Sequence, residues 1–170
     1  MKILGIDPGI ATVGFAVLES NRSAYNLQQC GVIETSSKLS LSERLKQIYQ
    51  DLLELLELFQ PDCMSVEEIF FNTNITTGIS VAHGRGVILL AAANSDLPAY
   101  EYTPLQVKQA VVGYGKAEKK QVMEMVKRIC NLKSTPKPDD AADAVAVAIC
   151  HARSTTSLLN REGNSSCYTI

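Results

Sequence analysis

The chain has 170 residues, 46% of them apolar and 20% charged, proportions that suit one compact domain and exclude wholesale disorder. Mean hydropathy is +0.04; no apolar run reaches the ~18 residues of a membrane span, and MKILGIDPG lacks the apolar core and cleavage site of a signal peptide, so a cytoplasmic protein is expected. The formal net charge of −2 taken alone argues against a nucleic-acid partner, but residues 105–133 gather Lys108, Lys116, Lys119, Lys120, Lys127, Arg128 and Lys133 against only Glu118 and Glu124, a local positive excess.

Residues 2–7 predict a buried strand, with apolar Ile3, Leu4 and Ile6 and a stop at Pro8-Gly9. Residues 12–18 form a second strand, in which Gly14 allows close approach of another backbone. Residues 25–35 form a third, and the short links imply antiparallel hairpins. Ser40 with Glu43 makes a capping box for a helix whose stripe is Leu41, Leu45, Ile48, Leu52, Leu55, Leu56 and Phe59. Gln60-Pro61-Asp62 ends it, and residues 63–67 make a fourth strand. A broadly apolar helix covers residues 76–93, a candidate dimer interface. A fifth strand spans 98–102. Two helices follow at 105–112 and 117–131, with Gly113 and Gly115 between them. After the Pro136–Pro138 break a last helix runs over 139–152, and residues 153–170 read as a flexible tail. This order gives an α/β fold, a mixed five-stranded sheet with helices on both faces, in one domain over residues 1–152.

The chemistry of the chain lies in its acids. Asp7 ends the first strand on the face of Ile3 and Gly5, where an unpaired carboxylate is costly; a turn aspartate bonding the Pro8-Gly9 backbone is the plainer alternative. Glu67 and Glu68 point to opposite sides of the fourth strand, and parity alone leaves open which joins Asp7. Asp139, Asp140 and Asp143 open the last helix. Capping explains the first two, whereas Asp143 runs into Ala-Val-Ala-Val-Ala-Ile and needs another reason. Positions 140 and 143 share a helical face. Such a set of hard oxygens, with no histidine or cysteine among it, suits Mg²⁺ or Mn²⁺ and phosphodiester hydrolysis by a pair of ions. His83 and His151 read as exposed or structural. The five cysteines include no C-x-x-C pair, so neither a zinc site nor a disulfide framework is expected. Cys30, Cys63, Cys130 and Cys150 read as small core residues and Cys167 as an exposed thiol.

GIDPGIATVGFAV, SVEEIFF, HGRGVILLAA, VKQAVVGYGKAEKKQV and DDAADAVAVAICH, in this order, resemble the RuvC Holliday junction resolvases over residues 1–152. The resemblance implies an RNase H-like fold and acids at Asp7, Glu67, Asp140 and Asp143, with Asp139 as an extra acid and Glu68 as a neighbour. It matches the family's aromatic to Phe70, beside a second ring at Phe71, and its two functional lysines to Lys108 and Lys119. It further implies a homodimer with magnesium, or manganese in its place, that nicks two strands of four-way junction DNA to leave 5′-phosphates. A junction-binding protein and a hexameric branch-migration motor are implied as partners. Three other readings compete. An ATP-binding protein of the actin and sugar-kinase type would need two lobes, a nuclease of ribosomal RNA precursors fits the D-A-A-D helix less well, and a non-catalytic junction binder would not need the full acid set.

Overall fold

The computed structural model describes residues 1–21, 24–69 and 75–162. Among them lie five strands, β1 (Lys2–Asp7), β2 (Thr12–Asn21), β3 (Ala24–Glu34), β4 (Cys63–Glu67) and β5 (Ala99–Tyr102). The helices are α1 (Leu41–Phe59), α2 (Ile75–Asn94), α3 (Pro104–Val112), α4 (Lys119–Ile129) and α5 (Asp139–Glu162). The sheet order is β3-β2-β1-β4-β5. β1, β2 and β3 pair antiparallel, while β4 and β5 join as parallel strands, so the sheet is mixed as expected.

Alternation along the strands divides the core in two. Leu4, Ile6, Val13, Val17, Met64 and Val66 pack against Ile48, Leu52 and Leu56 of α1 and Ile88 and Ala92 of α2. On the other face Ile3, Ala16, Leu18 and Cys63 meet the alanine-rich side of α5, with α3 and α4 around it.

Helix α1 begins where the capping box places it. The Ser40 hydroxyl accepts from Glu43 N–H at 3.4 Å and the Glu43 carboxylate accepts from Ser40 N–H at 2.8 Å. Gln60, left-handed at φ 46°, donates its N–H to Leu56 O and ends the helix. Leu41, the first residue of the helix, departs from the predicted buried stripe: it is exposed, whereas Ile48, Leu52 and Leu56 further along are buried. Cys63, Cys130 and Cys150 are buried thiols, but Cys30 is only half-buried, since β3 is an edge strand; Cys167 lies outside the described residues.

The last helix is ten residues longer than its apolar pattern. The pattern fades after Ala152 because the core ends there, yet an established helix adds one hydrogen bond for each further residue. Arg153 donates to Ala110 O, and the Ser154 and Thr155 hydroxyls return to the carbonyls of Cys150 and His151. No helix among the described residues is long and apolar enough to cross a membrane.

Candidate active site

The site lies where β1, β4 and α5 meet. β1 and β4 run parallel with Ile3 beside Cys63, Gly5 beside Ser65 and Ile6 beside Val66. One residue on, Asp7 and Glu67 end neighbouring strands on the face that α5 covers. Glu68 falls on the other side, and its backbone N–H donates to Tyr102 O at 2.8 Å. The strand register therefore makes the choice between the two glutamates that parity left open.

Helix α5 reaches this corner because the strands beneath it carry no side chains at two points. A Cβ on Gly5 would lie 2.2 Å from Ala144 O, and one on Gly14, the residue paired with Asp7, 2.1 Å from Asp140 O. Asp140 and Asp143 are thereby brought into electrostatic range of Asp7. From the other side Lys119, first residue of α4, places Nζ 2.9 Å from Asp143 Oδ2 and 3.5 Å from Asp139 Oδ2. Asp139, only an extra acid in the sequence, thus touches the site through Lys119. A pocket of about 200 Å³ opens between Glu67, Asp143, Lys108 and Lys119, with Pro104, Val107 and Val122 as its apolar wall.

Burial pushes the Asp7 carboxyl up to about 8, and the charges of Glu67, Asp143 and Asp140 push the same way against a smaller pull from Lys119. Burial likewise lifts Glu67 to about 7, reinforced by Asp143; a hydrogen bond from Asp7 and the charges of Lys108 and Lys119 oppose the rise. Partial burial pulls the Lys119 ammonium down, but its hydrogen bond to Asp143 and the charges of Asp143 and Asp139 outweigh that and hold it above the usual range. Without a cation, then, the acids are crowded enough to retain a proton at neutral pH.

Among the described residues no three acid, histidine or cysteine side chains are already closed around one point at metal-ligand spacing. The cluster nevertheless fits a hard divalent cation in its chemistry: the donors are carboxylate oxygens, and an ammonium already stands in for positive charge beside Asp143. Asp7, Glu67, Asp140 and Asp143 are the residues that could hold one.

Of the other predicted residues, Lys108 lines the pocket, while Phe70 and its neighbour Phe71 lie outside the described residues. His83 is exposed. His151 is buried, with Tyr102 Oη 2.8 Å from Nδ1 and Cys63 Sγ 3.3 Å from Nε2. Tyr100 stacks on the ring at 4.4 Å. This histidine fastens α5 to β4 and β5, a role no local pattern reveals because its partners lie 49 and 88 residues away.

The family model for crossover junction endodeoxyribonuclease RuvC matches residues 3–151. The crossover junction endodeoxyribonuclease RuvC of Alkaliphilus metalliredigens is 56% identical over 154 residues, 91% of this chain and 94% of that protein. Among solved structures, Thermus thermophilus RuvC in complex with a Holliday junction substrate superposes with a TM-score of 0.88 at 37% identity, covering 92% of this chain and 96% of that one. The yeast mitochondrial Holliday junction resolvase shares the fold at 16% identity, with a TM-score of 0.68 over 95% of this chain and 83% of its own. The expected RNase H-like architecture is the one these resolvases display.

Proposed function

The chain belongs to the RuvC family of crossover junction endodeoxyribonucleases, and from that membership we propose how its own residues carry out the reaction. The protein is a phosphodiester hydrolase that resolves Holliday junctions in DNA recombination and repair; the nucleotide-binding and ribosomal-RNA alternatives are set aside. The observation that carries the mechanism is the crowding of Asp7 and Glu67 by Asp140 and Asp143 at one buried corner.

In our reading Asp7, Glu67, Asp140 and Asp143 hold divalent cations, Mg²⁺ with Mn²⁺ as a substitute. Bound there, such ions supply charge stabilisation of the phosphodiester and a more acidic water. Asp7, which ends β1 beside Glu67, would contribute its carboxylate to that set. Because burial and its neighbours hold a proton on Asp7, cation binding there would be coupled to proton release. Lys119, tethered to Asp143, and Lys108, across the pocket from it, draw the DNA phosphate toward the acids. The apolar wall of Pro104, Val107 and Val122 keeps bulk water from that side. Phe70, by its place after β4, stacks on an unpaired base at the crossover.

A junction has approximate two-fold symmetry. A homodimer with α2 as its interface would set two equivalent sites against two strands of like polarity, giving paired nicks with 5′-phosphates. A cytoplasmic setting, a junction-binding protein and a hexameric branch-migration motor complete the proposal. The nuclease domain is residues 1–152; of the residues beyond it, 153–162 continue α5.

One gel tests the core of this. Four-way junction, linear duplex and single strand are offered to the wild-type chain and to Asp7→Asn, with and without Mg²⁺. Symmetric nicks are expected only in the junction and only with metal. Asp7→Asn should bind the junction yet cut at least ~10²–10³-fold more slowly. Normal cleavage by that variant in Mg²⁺ would remove Asp7 from the metal site.

A further inference from the structure

We propose that Gly14 is a positioning residue: its missing side chain sets the distance between Asp7 and the first turn of α5, and with it the span over which the carboxylates hold cations. The inference rests on the metal-site reading above.

Gly14 pairs with Asp7 across β1 and β2. An ideal Cβ there would stand 2.1 Å from Asp140 O, 2.6 Å from Asp140 C and 3.2 Å from Asp140 Cβ. Two of these are backbone atoms of a helix start, so they cannot rotate aside. Room for a methyl group at position 14 comes only from lifting the first turn of α5 off the sheet. Midway along its length α5 is held by buried His151 with Tyr102 and Cys63. The lift therefore acts as a tilt, in which Asp140 moves most and Asp143 less. Asp7 and Glu67, on the strands, stay in place. Gly31 makes the contrast: a Cβ there meets only the Phe15 ring, at 3.0 Å, and a ring can turn. Displacements near 1 Å are enough to spoil a catalytic constellation.

The test is Mn²⁺ binding to the full chain without DNA, read by the electron paramagnetic resonance of free Mn²⁺, beside thermal melting and single-turnover cleavage. Wild type should bind and Asp7→Asn should bind far more weakly. Gly14→Ala should fold yet bind Mn²⁺ at least about tenfold more weakly, with metal-free junction binding kept; Gly31→Ala should match wild type. Asp140→Glu leaves Gly14 alone and adds one methylene. It should weaken Mn²⁺ binding in the wild-type background and restore part of the loss in Gly14→Ala. A wild-type chain without Mn²⁺ affinity overturns the metal reading and this inference together. Wild type and Asp7→Asn as expected, with Gly14→Ala within about threefold of wild type, overturns this inference alone. Should Gly14→Ala fail to fold, Asp140→Glu decides: an affinity equal to wild type shows that the span is not tightly set.

Discussion

The two faces of the sheet are packed by opposite means. Toward α1 and α2 the contacts are large aliphatic side chains, Leu4, Ile6 and Met64 against Ile48, Leu52 and Ile88. Toward α5, Ile3 and Leu18 are joined by alanines and bare backbone, with Gly5 against Ala144 and Gly14 against Asp140. The first face is a matter of volume filled, the second of separation held. Among the described residues the carboxylate cluster sits on the second, where fixed backbone beneath it matters more than buried area. The difference teaches that stability and catalysis in this chain are largely carried by different layers of one sheet.

The most severe test of that division is Leu52→Ala. Leu52 is fully buried on the α1 face, and its truncation should cost about 2–5 kcal/mol in denaturant unfolding. Cleavage by the molecules that remain folded should be unchanged; a tenfold slower rate in them would break the comparison. A gentler test uses pH on the metal-free chain. Asp7 and Glu67 hold protons in the fold that the unfolded chain has already released. Their contribution to stability is complete in acid and is lost as pH climbs through about 7 for Glu67 and about 8 for Asp7. The slope is at most ~1.4 kcal/mol per pH unit for each retained proton. Burial holds the His151 pKa below its usual value, so it opposes this trend only weakly, while the unfolded imidazole loses its last protons just above pH 6.5. Melting in EDTA should thus give a lower Tm at pH 8.5 than at pH 6.5, and Mg²⁺ should recover most of the difference. A rising Tm in EDTA would contradict the crowding of the acids. The smallest effect belongs to Lys119→Ala, which should make the dependence of log K on log salt shallower by about 1 in junction binding. An unaltered slope takes Lys119 off the DNA.

Much of this was legible before any coordinates. The bounds of β1 and β4, the Ser40–Glu43 capping box and the left-handed stop after Phe59 are local matters, written in adjacent residues. The acids were legible as a set of residue types, and the family resemblance ordered them. What local pattern could not supply was the partner of each element. The choice of Glu67 over Glu68 depends on which β1 residue lies beside Cys63, and register is a property of two strands, not one. The regularity of an apolar stripe also overstates burial at helix ends, as exposed Leu41 shows, and understates length, as α5 beyond Ala152 shows. His151 looked inert because its tyrosine and cysteine partners come from other strands.

The small pocket between Glu67, Asp143 and the two lysines has one more consequence. At about 200 Å³ it falls below the 300–1,000 Å³ common for small-molecule sites, and with two ammoniums on its wall it suits a single anionic group better than a whole nucleotide.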